Sequence, residues 1–409
     1  MGTTFRLAWR NIWRHPRRTI LTMIAIGFGC ALLVFSIGLQ LGQYDLMIAN
    51  SVKIFEGLVQ VQKEGYLEDS KIRKSIPNVQ KLAEKIRSET GLSDVSPRAN
   101  GFALVSSETR TYGTMIIGVD PKYEDKVSII PGLVKEGRYL SSADAQELVL
   151  GKSLAQNMKL SLGDEVTIMG NGRDGSIAAT ILPVVGIFES GTKELDRSVI
   201  EIPLNTFQDV FSMGDHGHSI VLYHRDANLV NSIQQKSQAI INSEEDLVAL
   251  RWDQLQPGLK EAIELDYSSG WFMYIVLVAI IVFSIMNTFL MSVMERTREF
   301  GILLALGYKA FNIGKLVMLE ATLLTIVAVL IGTTIGVGVN YYFYVYGLSL
   351  TGMEEIANMY NMPSTITPQI SFNSVFIGPA IIFVSTIISA LYPAMRIRLL
   401  EPVEAMRKI

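Results

Sequence analysis

A single cysteine, Cys30, excludes any disulfide within this chain. Whatever part of it lies in an oxidising compartment must hold together by its own apolar core. Histidine is nearly as scarce, four in 409 residues. Three of these, His216, His218 and His224, fall close together, but no cysteine joins them and Gly214 and Gly217 give the stretch the character of a loop. That is a poor set of metal ligands, and no metal is expected. Nothing has the pattern of a nucleophile, a base and an orienting group, so no catalytic residues are expected. A net charge of −3 argues against nucleic acid or another polyanion as partner. The most informative absence is charge itself. No Asp, Glu, Lys or Arg occurs between Arg18 and Asp45, Asp266 and Glu295, Glu320 and Glu354, or Glu355 and Arg396. Each gap exceeds the roughly 20 apolar residues that cross about 30 Å of hydrocarbon at 1.5 Å per residue.

The rest of the composition agrees. With 49% hydrophobic and 18% charged residues and a mean hydropathy of +0.30, the chain is too apolar for a soluble enzyme and too charged to be membrane throughout. The fold class expected is a membrane protein of four transmembrane α-helices, 19–44, 269–294, 316–344 and 372–394, with a large α+β extracytoplasmic domain, 45–268, inserted between the first and second. Two subdomains are expected in that insert. The remaining parts are a cytoplasmic amphipathic helix at 1–18, a cytoplasmic loop at 295–315, an extracytoplasmic loop at 345–371 and a cytoplasmic tail at 395–409. The basic-then-apolar N-terminus resembles a signal peptide, but the apolar part is too long and no small-x-small site follows, so it stays as an anchor.

Orientation follows from arginine. Residues 1–18 carry Arg6, Arg10, Arg14, Arg17 and Arg18 and no acid. Short positive segments stay in the cytoplasm, which places both termini inside; Arg396, Arg398, Arg407 and Lys408 agree. Phe5, Trp9, Ile12 and Trp13 recur at helical spacing opposite Arg6, Arg10 and Arg14, the pattern of a helix lying in the membrane interface, which Pro16 then ends. In the insert, 58–62 alternates as a strand, and 101–106, 112–119 and 219–223 also read as strands. Val166, Ile168, Ile181, Val184 and Val185 suggest more, around the turn Gly170-Asn171-Gly172. Helical patterns occupy 78–89, with Val79, Leu82, Ala83 and Ile86, and 226–242.

The loop after the second span reads SVMERTREFGILLALGYK at 292–309. Four charges, Glu295, Arg296, Arg298 and Glu299, precede a renewed apolar period of Phe300, Leu303 and Leu306. This is an amphipathic helix at the interface, ended by Gly307. Glu320, one turn inside the third span, is expected to snorkel or to pair with Lys315, Arg296 or Arg298 rather than to serve a proton path. Gly332 and Gly336 form a small-x-x-x-small step, and Gly27 and Gly29 sit in the first span; these glycines favour close helix packing within a subunit or across a dimer. Gly151-Lys152-Ser153 looks like the end of a phosphate loop, but the required first glycine is Gln146, so no nucleotide site is expected.

Three stretches resemble one family, the FtsX/MacB/Lol-type permease subunits of ABC transporters. They are ERTREFGILLALG at 295–307; Tyr392-Pro393-Ala394 with Arg396, Pro402, Ala405 and Arg407; and LVLGKSLAQNMKLSLGDEVTI at 148–168. The resemblance implies that the chain is a permease and no enzyme. It implies a coupling helix docked on a separate ABC ATPase through Glu295, Arg296, Arg298, Glu299, Phe300, Gly301 and Leu304. At Leu304 the family commonly has a basic residue. No cofactor is expected on this chain; ATP and Mg belong to the ATPase. The implied mechanism is mechanotransmission in a bacterial inner membrane with the large domain periplasmic, the permease working as a dimer with a second copy or paralogue. GLVQVQKEGY at 57–66 is similar to the lipoprotein-releasing branch. A lipoprotein would enter between the first and second spans of two subunits, past Phe35, Leu39 and Met47 on one and Trp271, Phe272, Met273 and Tyr274 on the other, and leave toward the outer membrane, with a periplasmic carrier as a further partner. The alternatives are a MacB-like exporter of peptides or amphiphilic drugs and an FtsX-like regulator of a cell-wall hydrolase.

Overall fold

The computed structural model describes residues 2–226, 229–242, 244, 246–349 and 365–397. Arg398, Pro402, Ala405, Arg407 and Lys408, and most of the 345–371 loop, lie outside the described residues. The described residues form two compact units: one within 2–44, 262–349 and 365–397, the other within 45–261. The first unit opens with helix α1 (Gly2–Ile12) and helix α2 (Pro16–Ser51). Pro16 starts α2, where its missing N–H costs nothing. No proline interrupts the next 35 residues, and α2 continues past the unit boundary at Tyr44 to a π-helical turn, Val52–Glu56.

The second unit comprises β1 (Val59–Lys63), α3 (Val79–Thr90), β2 (Val95–Ser106), β3 (Thr111–Val119), α4 (Pro121–Val127), β4 (Val134–Gly137), β5 (Leu148–Gly151), α5 (Lys152–Met158), β6 (Glu165–Asn171), β7 (Ile177–Phe188), α6 (Lys193–Ser198), β8 (Val199–Pro203), α7 (Leu204–Val210), β9 (Ser219–Leu222), α8 (Val230–Ile241), β10 (Leu247–Arg251) and α9 (Trp252–Leu255). Its strands make one ten-stranded sheet, and β2 contributes to two of its three buried clusters. On one side the order β10-β1-β9-β2 is antiparallel throughout, with α3 and α8 as the crossovers, a split β-α-β arrangement. Val79, Leu82, Ala83 and Ile86 of α3 and Ile233 and Ile241 of α8 pack there on Val59, Val61, Ile220 and Leu222. On the other side β2, β3, β8, β5, β7 and β6 close into a ring, because β6 pairs with both β7 and β2. Phe207 and Phe211, stacked at 4.4 Å, help fill its core with Leu150, Ile168, Leu182 and Ile200.

Two buried polar groups decide how this unit holds. Arg98 of β2 is fully buried; it binds both carboxylate oxygens of Glu124 and donates to the carbonyl of Phe55 in the π-helical turn. Glu201 lies nearby, its carboxylate accepting from Tyr139 Oη at 2.7 Å. Burial, with the Glu124 charge beside it, pushes the Glu201 carboxyl well above the usual range. His218 is the other group. Its Nδ1 accepts from the Asn100 N–H at 2.9 Å and its Nε2 lies 3.0 Å from the Ile72 carbonyl, so the ring is bonded as a neutral imidazole and stacks on Tyr66. It belongs to the core, while His216 pairs with Asp215 and His224 caps the backbone at Asp226. Lys152, in the stretch that looks like a phosphate loop, bonds Glu189 at 2.8 Å.

The chain returns to the first unit through α10 (Pro257–Glu295), α11 (Thr297–Ala305), α12 (Ala310–Tyr346), the two-residue pair β11 (Leu348–Ser349) and β12 (Thr365–Ile366), and α13 (Phe372–Arg396). Helices α2, α10, α12 and α13 are long and apolar enough to cross a membrane. Ile26, Cys30 and Leu33 of α2, Ile285 and Phe289 of α10, Ala321 and Leu324 of α12, and Ile382 and Ala390 of α13 form their common core. Helices α2 and α12 come so close that a Cβ on Gly332 would lie 2.3 Å from the Gly27 carbonyl oxygen. The glycine step thus packs within one chain. Polar ties cross the bundle at Asn340 to the Val34 carbonyl, 3.0 Å, and Ser389 to the Val282 carbonyl, 3.2 Å.

Burial holds the folded-state pKa of His218 down at about 4, against 6.5 for an ordinary histidine. Between those values the unfolded chain binds a proton that the folded chain refuses, so stability falls as pH drops through this window. In detergent, the melting temperature of the protein should fall more steeply from pH 7 to pH 5 than that of His218→Gln. Parallel slopes would remove His218 from the account.

Candidate coupling site

Arg296 alone separates α10 from α11, and the chain bends there. Thr297 is buried and its hydroxyl donates to the Val293 carbonyl at 3.1 Å, satisfying an end carbonyl of α10. Phe300 and Gly301 face inward, and Phe300 is 1% exposed. Phe300 packs with Val293, Ile313, Val317, Ala394 and Ile397, and Leu303 and Leu304 cover the cluster. The seat of α11 is therefore built from the start of α12 and the end of α13. Leu306 is 79% exposed and belongs to the outer face, with Ile302. Gly307, at φ +88°, ends the helix, and the Tyr308 N–H reaches the Leu303 carbonyl at 3.0 Å.

The charges are arranged around this seat. Arg296 donates to both oxygens of Glu320, at 2.9 and 3.2 Å, and lies over the Phe300 ring, 5.0 Å from its centroid. Asn11 of α1 donates to the same carboxylate at 2.7 Å. Glu320 is 9% exposed, so this is a half-sequestered pair with its acceptor oxygens occupied. Glu295 pairs with Arg18 at 2.6 Å, and Arg18 also donates to Ser292 at 2.8 Å. Glu299 pairs with Arg14 at 2.7 Å and with Arg296 at 3.5 Å. Arg298 is exposed and has no ion pair among the described residues. Three of the four charges expected to meet a soluble partner are thus engaged by the chain itself. Glu295 and Glu299 remain half exposed and reachable. Asn11, Arg14, Arg18 and Ser292 are the partners that sequence reasoning missed. Helix α1 buries Ala8 and Ile12, half-buries Asn11 and leaves Phe5 and Trp9 exposed, as is Trp13 just after it.

Two family matches bear on this arrangement. Residues 19–240 match the MacB-like periplasmic core domain, and residues 271–402 match the FtsX-like permease C-terminal domain. The chain belongs to the MacB-like, FtsX-type permease family. Its members are permease subunits of ABC transporters that work with an ABC ATPase. Among relatives, the lipoprotein-releasing system transmembrane protein LolC of Xylella fastidiosa is 23% identical over 77% of this chain and 79% of its own length. The macrolide export ATP-binding/permease protein MacB of Campylobacter jejuni is 23% identical over 99% of this chain and 61% of its own length. The uncharacterized ABC transporter permease YknZ of Bacillus subtilis is 24% identical over 98% of both chains.

In this MacB-like permease the seven residues read as a cleft take different positions. Tyr274 of α10 is buried and donates to Gln40 Oε1 at 2.8 Å. Gln40 in turn bonds Tyr44, whose hydroxyl donates to Asp266 at 2.7 Å, so these four side chains clasp α2 to α10. Trp271 sits edge-on between Tyr267 and Tyr274. Phe35 packs on Phe343 of α12 at 5.8 Å, and Leu39 is half-buried. Phe272 and Met273 are exposed, and Met47 belongs to the second unit.

The difference between the ion pairs is measurable. Glu320→Ala strands Arg296 and should cost about 3–5 kcal/mol, whereas Glu295→Ala breaks a wet pair worth about 0–1 kcal/mol. Unfolding of the detergent-solubilised variants separates the two; equal losses would mean that Glu320 anchors nothing.

Proposed function

We propose that this permease transmits force from a separate ABC ATPase to its large outer domain and so releases lipoproteins from the inner membrane toward the outer membrane. The observation that carries the coupling half is the seat of α11. One face is packed into α12 and α13 and pinned by Arg296–Glu320, while Arg298, Ile302 and Leu306 point outward. Such a helix gives a partner a handle whose displacement moves the span ends with it. The half-exposed acids Glu295 and Glu299 favour a basic patch on that partner. ATP and Mg stay on the ATPase. In this orientation both termini and α11 face the cytoplasm and the outer domain the periplasm, because the arginine-rich segment stays inside.

The substrate half rests on α10. Only 11% of its apolar window is buried, against 39% for each of the other three candidate spans. It therefore offers most of its surface to lipid, a second permease or an acyl chain, with Phe272 and Met273 on that surface. The similarity to LolC over 79% of that protein favours a lipidated substrate. The outer domain adds an exposed apolar sheet face, Phe102, Leu104, Met115, Met169, Ile177 and Ile181, suited to a protein partner such as a periplasmic carrier. The similarity to MacB across 99% of this chain supports the second reading, export of a peptide or amphiphilic drug.

A photo-crosslinking residue at Met273 distinguishes them. Capture of an acylated lipoprotein is the expected outcome; capture of peptide or drug would replace release by efflux, and capture of a cell-wall hydrolase alone would make the protein a regulator. Arg298→Glu should lower transport and stimulated ATP hydrolysis severalfold at normal membrane insertion. Unchanged transport would sink the docking role of α11.

A further inference from the structure

A groove of about 920 Å³ lies beside the seat of α11, within the first unit. Phe5 of α1, Phe311, Met318 and Leu319 of α12, and Leu391 and Met395 of α13 line it. Its size is at the upper end of the roughly 300–1,000 Å³ range of small-ligand sites. The α12 residues fall between Ala310 and Thr322, the first turns of a membrane-crossing helix, and the α13 residues fall in its last turns. At that depth the bilayer contributes hydrocarbon, not water, to an apolar slot.

Among the described residues that line this groove, one is a cation. Lys315 is exposed, its Nζ lies 4.6 Å from the centre of the Phe311 ring, and it has no carboxylate partner among the described residues. The nearby acid Glu320 is already taken by Arg296 and Asn11. A lysine so placed lays its stem on apolar surface and carries its charge to headgroup level. A dry slot with an unpaired ammonium at its rim matches an amphiphile with an anionic head, as do basic pockets between spans on the cytoplasmic side. A zwitterionic lipid would bring its own ammonium and gain less.

We propose that this groove is a binding site for an anionic phospholipid, one acyl chain lying between α1, α12 and α13 and the phosphate paired with Lys315. The leaflet is the cytoplasmic one in the orientation proposed above, and the groove itself does not depend on that assignment. Its walls are also the seat of the coupling helix: Met318 and Ala394 line the groove and belong to the cluster around Phe300. A bound chain fills the back of that cluster, so lipid charge sets how firmly α11 is held.

The test uses the full chain in nanodiscs containing phosphatidylglycerol or phosphatidylcholine with a photoactivatable acyl chain, followed by peptide mapping. Phosphatidylglycerol should label 311–322 and 391–395 at least fivefold more than phosphatidylcholine. Lys315→Glu should abolish that preference, Lys315→Arg should keep it, and Leu319→Trp, which fills the slot, should lower labelling by both lipids. Equal labelling by the two lipids, or a preference that survives Lys315→Glu, overturns the proposal. Cross-linking of two protein copies from a benzoylphenylalanine at Phe311 would also overturn it and give the groove to a second chain. None of these readouts involves ATP hydrolysis, so failure here is separable from failure of the coupling role.

Discussion

The pair Arg296–Glu320 is the contact on which the bend between α10 and α11 depends. It joins the single non-helical residue between α10 and α11 to the third span, and Asn11 adds α1 to the same carboxylate. A carboxylate placed below headgroup level is unfavourable unless its oxygens are satisfied. The energetic penalty for losing its partners is what makes the bend at Arg296 definite rather than optional. Once the bend is set, Phe300 falls into the cluster of Val293, Ile313, Val317 and Ala394, and α11 has one orientation. The weaker outer pairs, Arg18–Glu295 and Arg14–Glu299, can exchange partners without disturbing that frame.

The outer unit solves a different problem. It has no disulfide and holds together by its own apolar and polar contacts. Strand β2 runs from one of its cores into another within one sheet, and Arg98 on that strand holds the π-helical turn that follows α2. An arginine buried with two carboxylates needs one of them neutral, and Glu201, bonded by Tyr139, is the one that burial keeps protonated.

Much of this was legible before any coordinates. The charge-free stretches mark the spans because an ionised side chain in hydrocarbon has no solvent. Val79, Leu82, Ala83 and Ile86 announced α3, and 101–106 and 112–119 announced β2 and β3, because one face of each is buried and the period shows. Strands β5 and β8 carried no such signal. Both are buried along their whole length, so Leu148–Gly151 and Val199–Pro203 show no alternation, and β8 pairs in parallel with β3, Val199 lying opposite Met115.

The segment 292–309 divides the same way. By itself the sequence determined that an amphipathic helix with a charged start and a glycine stop follows the second span, since spacing and composition suffice for that. It also pointed to a cation partner for Glu320, over a proton path, since a lone carboxylate within a span is unfavourable. Tertiary structure decided which cation, Arg296 rather than Lys315, and engaged Glu295 and Glu299 with Arg18 and Arg14 from the opposite end of the chain. It also decided that Tyr274 would clasp α2 instead of lining a cleft. Pairings of this kind depend on distances between helices remote in sequence, and those distances follow from small-residue contacts such as Gly27 against Gly332, which no local pattern encodes.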